Sequence, residues 1–212
     1  MLNKIQFATS FSFTAKISFM APMINQNPTF STLVQLFSVK AQVPAALRVE
    51  EVRPELDSHN LISNFPYDVF IADGKTQYIM AKHSMAYISK PSAPELKDID
   101  DTQGLLILLG LDTLLNPDLL EFQQIPNELL NNRWVHVYVR TQADQERSFQ
   151  QSFRIDTATQ LPKQFSEFYL DETSHAQEMV RVDYQDWKLN VTFDEATFDT
   201  TIPTGAHQLV LE

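Results

Sequence analysis

The chain has 212 residues and a formal net charge of −11. That length buries roughly 70% of the surface its unfolded form would expose, whereas the acidity disfavours nucleic acid and anionic membrane surfaces, which reward clustered Lys and Arg. With no cysteine and four glycines in all, disulfides, thiolate metal sites and phosphate-cradling glycine loops are excluded.

Leu2 to Thr9 reads as the last turns of a helix. In Phe11 to Phe19 every odd position is apolar and every even position is polar or small, the period of a half-buried strand. Thr29 to Gln42 predicts a second strand, with Leu33, Phe37 and Val39 on one face, and Ala46 to Glu50 a third. Tyr67 to Met80 predicts a hairpin closed at Asp73-Gly74, a pair that suits a type I′ turn. A short strand, Met85 to Ile88, follows.

Ser92-Ala93-Pro94-Glu95 has the form of a capping box opening a helical region. Gly104 to Leu111 is apolar on every helical face and so predicts burial on all sides. Only the ten residues Thr102 to Leu111 run without a charge, far short of the about 20 a membrane helix needs. Asn116-Pro117-Asp118 restarts a second helix carrying Leu119, Leu120 and Phe122, and Pro126 ends the section. The expected lid therefore spans 92–123.

From Arg133 the pattern is β again. Val135, Val137 and Val139 alternate with Trp134, His136 and Tyr138, Ser148 to Ile155 pairs with Gln164 to Leu170, and Glu178 to Trp187 is another strand. The expected fold class is α+β in one domain over 1–212: a strongly curved antiparallel sheet of about ten or eleven strands, with a helical plug or lid inserted mid-chain.

The apolar residues available to line a cavity between sheet and lid are Phe13, Ile17, Phe19, Leu33, Phe37, Val69, Ile71 and Tyr78 from the strands, with Leu105, Leu109, Leu115 and Leu119 from the lid. An acyl chain buried there would contribute about 0.8 kcal/mol per CH₂. No catalytic residues or cofactor are expected. The histidines stand far apart without metal-ligand spacing, and no serine sits in a nucleophile elbow.

Four landmarks, taken in order, resemble the LolA/LppX-like lipoprotein-carrier fold and the uncharacterised family of periplasmic proteins related to it. They are the aromatic strand Phe11 to Phe19, the hairpin Ala72-Asp73-Gly74-Lys75-Thr76, the turn Ile155-Asp156 to Leu161-Pro162, and the ending Asp186-Trp187-Lys188-Leu189-Asn190 followed by Phe198 and Pro203-Thr204-Gly205-Ala206. The resemblance implies a half-open β-barrel under a helical lid, a non-enzymatic role holding a lipid, lipoprotein acyl chain or other hydrophobic ligand, and a periplasmic location reached through a leader removed before Met1. A lipid tether on the precursor is compatible with it. Carriers of this fold tend to place an arginine before the proline that ends the second strand; here Val43 precedes Pro44. The alternative function is an envelope sensor or interaction module of the same fold that docks a protein partner. Neither reading involves nucleic acid or an integral membrane protein.

Overall fold

The computed structural model describes residues 3–19, 33–52, 68–81, 85–99, 105–115, 122–143, 148–170 and 176–209. A short helix α1 (Asn3–Gln6) leads into β1 (Ser10–Phe19), β2 (Leu33–Gln42), β3 (Ala46–Glu51), β4 (Val69–Asp73), β5 (Thr76–Ala81) and β6 (Ala86–Pro91). After a 3-10 turn at Leu96–Asp98 come two one-turn helices, α2 (Leu105–Leu108) and α3 (Leu111–Leu115). The rest is β7 (Gln123–Leu130), β8 (Arg133–Ala143), β9 (Ser148–Asp156), β10 (Pro162–Leu170), β11 (Ala176–Leu189), a 3-10 turn at Glu195–Phe198, and the two-residue β12 (His207–Gln208).

The 12 strands hydrogen-bond in the order β12-β6-β5-β4-β3-β2-β1-β11-β10-β9-β8-β7, an unclosed sheet. The neighbours with described register are antiparallel, except that β12 runs parallel to β6. Two strands go beyond the sequence-based expectation. In β7, Gln-Gln-Ile-Pro-Asn-Glu-Leu-Leu carries no clean alternation, and the sequence reads Pro126 as the close of the helical section; the structure places it inside the strand, where the register shifts between Ile125 and Glu128. An edge strand tolerates a proline because its outward N–H has no ladder partner to lose. β12 is too short to leave a periodic signal.

The helical insertion is smaller than expected. The 3-10 turn at Leu96–Asp98 has Glu95 as its N-cap without a side-chain cap bond, and Ser92 Oγ contacts the Ala93 carbonyl instead, so the capping box does not form. The apolar run is broken at Gly110, whose φ of 64° is left-handed. Nor is the run buried all round, because Ile107 is 49% exposed. The second helix expected from Asn116 onward, with Leu119 and Leu120, lies outside the described residues.

The chain divides into two compact units, each assembled from separated segments. One comprises Met1–Gln6, Ala15–Val34 and Gly104–Gln185; the other comprises Phe7–Thr14, Gln35–Gln103 and Asp186–Glu212. The boundaries fall inside β1, β2 and β11, so neither unit is a contiguous stretch of sequence.

Candidate functional site

In the unit holding Gly104–Gln185, the core is an aromatic sheet face with α2 and α3 laid on it. Tyr138 stands opposite Phe153, Phe153 opposite Phe165, and Phe165 opposite Val182. Directly opposed residues share a face. The Phe153 and Phe165 rings lie 4.8 Å apart, and Phe122 meets Phe153 edge-on at 5.9 Å. Tyr184 Oη donates to the Leu109 carbonyl at 2.7 Å. Leu109 and Leu111 are fully buried.

Gly110 sets the height of the helices above this face. A Cβ at that position would lie 2.8 Å from Tyr184 Oη, 3.0 Å from Phe165 Cγ and 3.1 Å from Phe153 Cζ. Only glycine permits both this approach and the left-handed backbone. The same break leaves α2 and α3 with four and five residues. Helices that short hold their form through packing and not through their own hydrogen bonds.

A polar group on the strands acts electrostatically on Asp112 of α3. Arg140 sits with its guanidinium carbon 4.8 Å over the Phe122 ring and donates to Gln151 Oε1 at 2.5 Å. Gln151 Nε2 donates to Glu167 at 3.0 Å. Asp112 keeps much of its surface in solvent, yet the protein packed around its carboxyl desolvates it enough to raise its pKa, against the Thr113 hydrogen bonds and the Arg140 charge. Burial, with a smaller contribution from the Asp112 charge, pushes the Tyr184 phenol well above its ordinary value.

In the unit holding Gln35–Gln103, the register separates two apolar faces. Val39 opposes Val49 and Ala41 opposes Leu47; Val49 opposes Phe70; Phe70 opposes Ile79; and Ile79 opposes Ile88. Phe37, two residues from Val39, belongs to this face. On the other face Val69, Ile71, Tyr78, Met80 and Tyr87 form one buried cluster, packed against Met85 and Ala206. Tyr78 and Tyr87 have ring centroids 5.6 Å apart, and burial, then the neighbouring Tyr87, raises the Tyr78 pKa. The segment after β11 is tied to this second face, with Arg48 Nη1 donating to the Thr197 carbonyl at 3.2 Å and Thr200 Oγ1 to Asp73 at 3.2 Å.

No protein-family model and no curated protein matches the chain. Among solved structures it is similar to a LolA superfamily protein from Nitrosomonas europaea, at 11% identity over 92% of this chain and 91% of that one, with a TM-score of 0.37. It also aligns with GphF dehydratase 1, at 8% identity over 85% of this chain and 76% of that one, with a TM-score of 0.16. Likenesses this loose transfer neither a function nor a site residue.

The residues expected to line one cavity are thus distributed. Leu105 and Leu109 are buried within the first unit, Leu115 is half-buried, and Ile17 is fully buried there with Phe19 half-buried. Phe13 is buried in the second unit, its ring 4.2 Å from Trp187. Phe37 occupies the face opposite to Val69, Ile71 and Tyr78, which face the segment carrying Ala206. Leu33 is part of β2, and Leu119 lies outside the described residues. Sequence reading passed over Phe153, Phe165, Tyr184 and Gly110, although alternation in β9 to β11 marks the first three. Among the described residues no group of three His, Asp or Glu side chains is placed to hold a metal ion, and no helix is long and apolar enough to cross a membrane.

Proposed function

We propose that this protein is a non-enzymatic binding protein of the bacterial periplasm that carries a lipid, an acyl chain or a similar hydrophobic ligand on the aromatic face beneath α2 and α3. One observation carries the reading: two one-turn helices, along which Leu105, Leu106, Leu109, Leu111 and Leu114 are buried, meet at Gly110, directly over Phe153, Phe165 and Tyr184. A cover whose shape depends on packing can exchange leucine methyls for ligand methylenes at little net cost, because both remove about the same apolar area from water. The family resemblance of the sequence supports both the carrier role and the location. In this reading Leu105, Leu109 and Leu115 form the helical wall of the site, and Phe153, Phe165 and Tyr184 its sheet wall.

The test is native mass spectrometry of protein purified from a periplasmic expression host, before and after incubation with phospholipid, fatty acid and lipopeptide. A ligand adduct that is lost in Leu109→Arg and retained in Ile107→Arg, with both variants shown to be folded by circular dichroism, is the expected outcome. A mass equal to the bare chain under every incubation would overturn the carrier reading in favour of a protein-docking module.

A further inference from the structure

The sheet face that carries Phe153 continues past the residues assigned to the carrier site, since Tyr138 opposes Phe153 and His136 opposes Ile155. Along β8 three ring side chains, Trp134, His136 and Tyr138, alternate on one face, so they stand about 7 Å apart. Opposite them on β7 are Leu129, facing Trp134, and Gln124, facing Tyr138. Trp134 is 59% exposed and Leu129 60% exposed, so the two paired positions form an apolar contact facing water.

The polar groups between them are held in place. His136 Nδ1 lies 3.1 Å from Asn127 Oδ1 and 3.4 Å from Gln124 Nε2, and its tautomer decides which of the two it serves. Tyr138 Oη donates to Gln124 Oε1 at 3.5 Å. Each amide carries two donors and an acceptor with two lone pairs, and these contacts occupy only part of that capacity. The arrangement is a row of three rings bordered by two amides and linked to them by these contacts.

We propose that this strip is a binding platform for a neutral, equatorially linked oligosaccharide. Such a chain is a flat ribbon. Its pyranose rings present C–H faces that stack on indole, imidazole and phenol rings, while hydroxyls at its edges exchange hydrogen bonds with amides. Three other occupants fit worse. A peptide adding a strand at β7 meets Pro126, which has no N–H, and the register shift between Ile125 and Glu128. A polyanion finds the nearby cations already engaged, Arg154 with Glu128 at 3.1 Å and Arg133 with Asp156 at 3.4 Å, on a chain of net charge −11. An anionic lipid surface would call for lysines and arginines around the aromatic residues in place of glutamine and asparagine.

The chain has two tryptophans, so Trp187→Phe leaves Trp134 as the only indole reporter. Full-length Trp187→Phe protein is titrated with cellohexaose and with N-acetylchitohexaose, following emission and, in parallel, heat by calorimetry. The expected result is a saturable emission shift with at least one of the two. In the calorimetric arm, Trp134→Ala in the otherwise native chain weakens that binding about tenfold, the scale of one lost aromatic contact, and Gln124→Ala weakens it with the fold retained. Absence of response to both sugars, or undiminished binding by Trp134→Ala, overturns the proposal. So does a Trp134 shift seen only with phosphatidylglycerol and phosphatidylethanolamine vesicles, which would make the strip a membrane contact.

Discussion

Gly110 is constrained by its contacts and by its backbone together. Gly110→Ala must place a methyl among Tyr184, Phe165 and Phe153 while keeping a φ of 64°; strain and overpacking together are expected to lower stability by about 3 kcal/mol, read by urea denaturation. Tyr184→Phe deletes only the donor to the Leu109 carbonyl, and the expected loss is about 1 kcal/mol with the fold intact. Asp156 titrates in the opposite sense to Asp112. Burial raises its pKa, but the backbone N–H and hydroxyl of Thr159, the Arg133 guanidinium and the Ala158 N–H outweigh that and hold it below the ordinary carboxylate value. A depressed carboxyl stabilises the fold above its unfolded pKa and loses that contribution as pH falls through the folded one. Asp156→Asn is therefore expected to cost about 1–2 kcal/mol at neutral pH and to converge with the native chain in acid, which melting curves across pH will show. The turn Asp156 organises was legible in the sequence as a landmark; its burial at 1% exposure was not.

At the scale of elements, the β4–β5 hairpin is where a strong local signal met a different local solution. Asp73-Gly74 predicts a type I′ turn, which requires positive φ at both central residues, yet of the two only Gly74 has it, at 84°. Asp73 instead accepts hydrogen bonds from the Lys75 N–H at 2.8 Å and the Thr76 N–H at 2.7 Å, an Asx-type closure. The element α3 carries its own pH dependence. Desolvation raises the Asp112 pKa, so the folded state is favoured while the carboxyl is protonated and loses that advantage as pH rises through the folded pKa. Asp112→Asn is expected to melt higher than the native chain at neutral pH and to match it at pH values below the ordinary carboxylate range. An unchanged or lower melting temperature at neutral pH would show that the Arg140 charge, not desolvation, governs this helix.

For the whole molecule, β1 and β11 run through both compact units, and the fold cannot be divided by cutting the chain between elements. Trp134 belongs to one unit and Trp187 to the other; single-tryptophan variants are expected to report coincident urea transitions, and separated midpoints would refute a single cooperative structure. The sequence by itself determined that the chain is mostly strand, because Phe11 to Phe19 and Trp134 to Val139 alternate at a period that only a pleated strand satisfies. It also marked the apolar stretch around Leu105 to Leu111 as buried in the main. Tertiary structure alone decided which residues share a face. Val69 to Ala72 are all buried, as are Gln77 to Met80, and a strand covered on both sides has no alternation to read. Phe37 and Ile71 thus looked equivalent in the sequence, and the ladder through β3 assigns them to opposite faces. The lid was decided in the same way, since an apolar run containing a glycine is compatible with one long helix or two short ones, and the close approach of Tyr184, Phe165 and Phe153 to Gly110 selects the second.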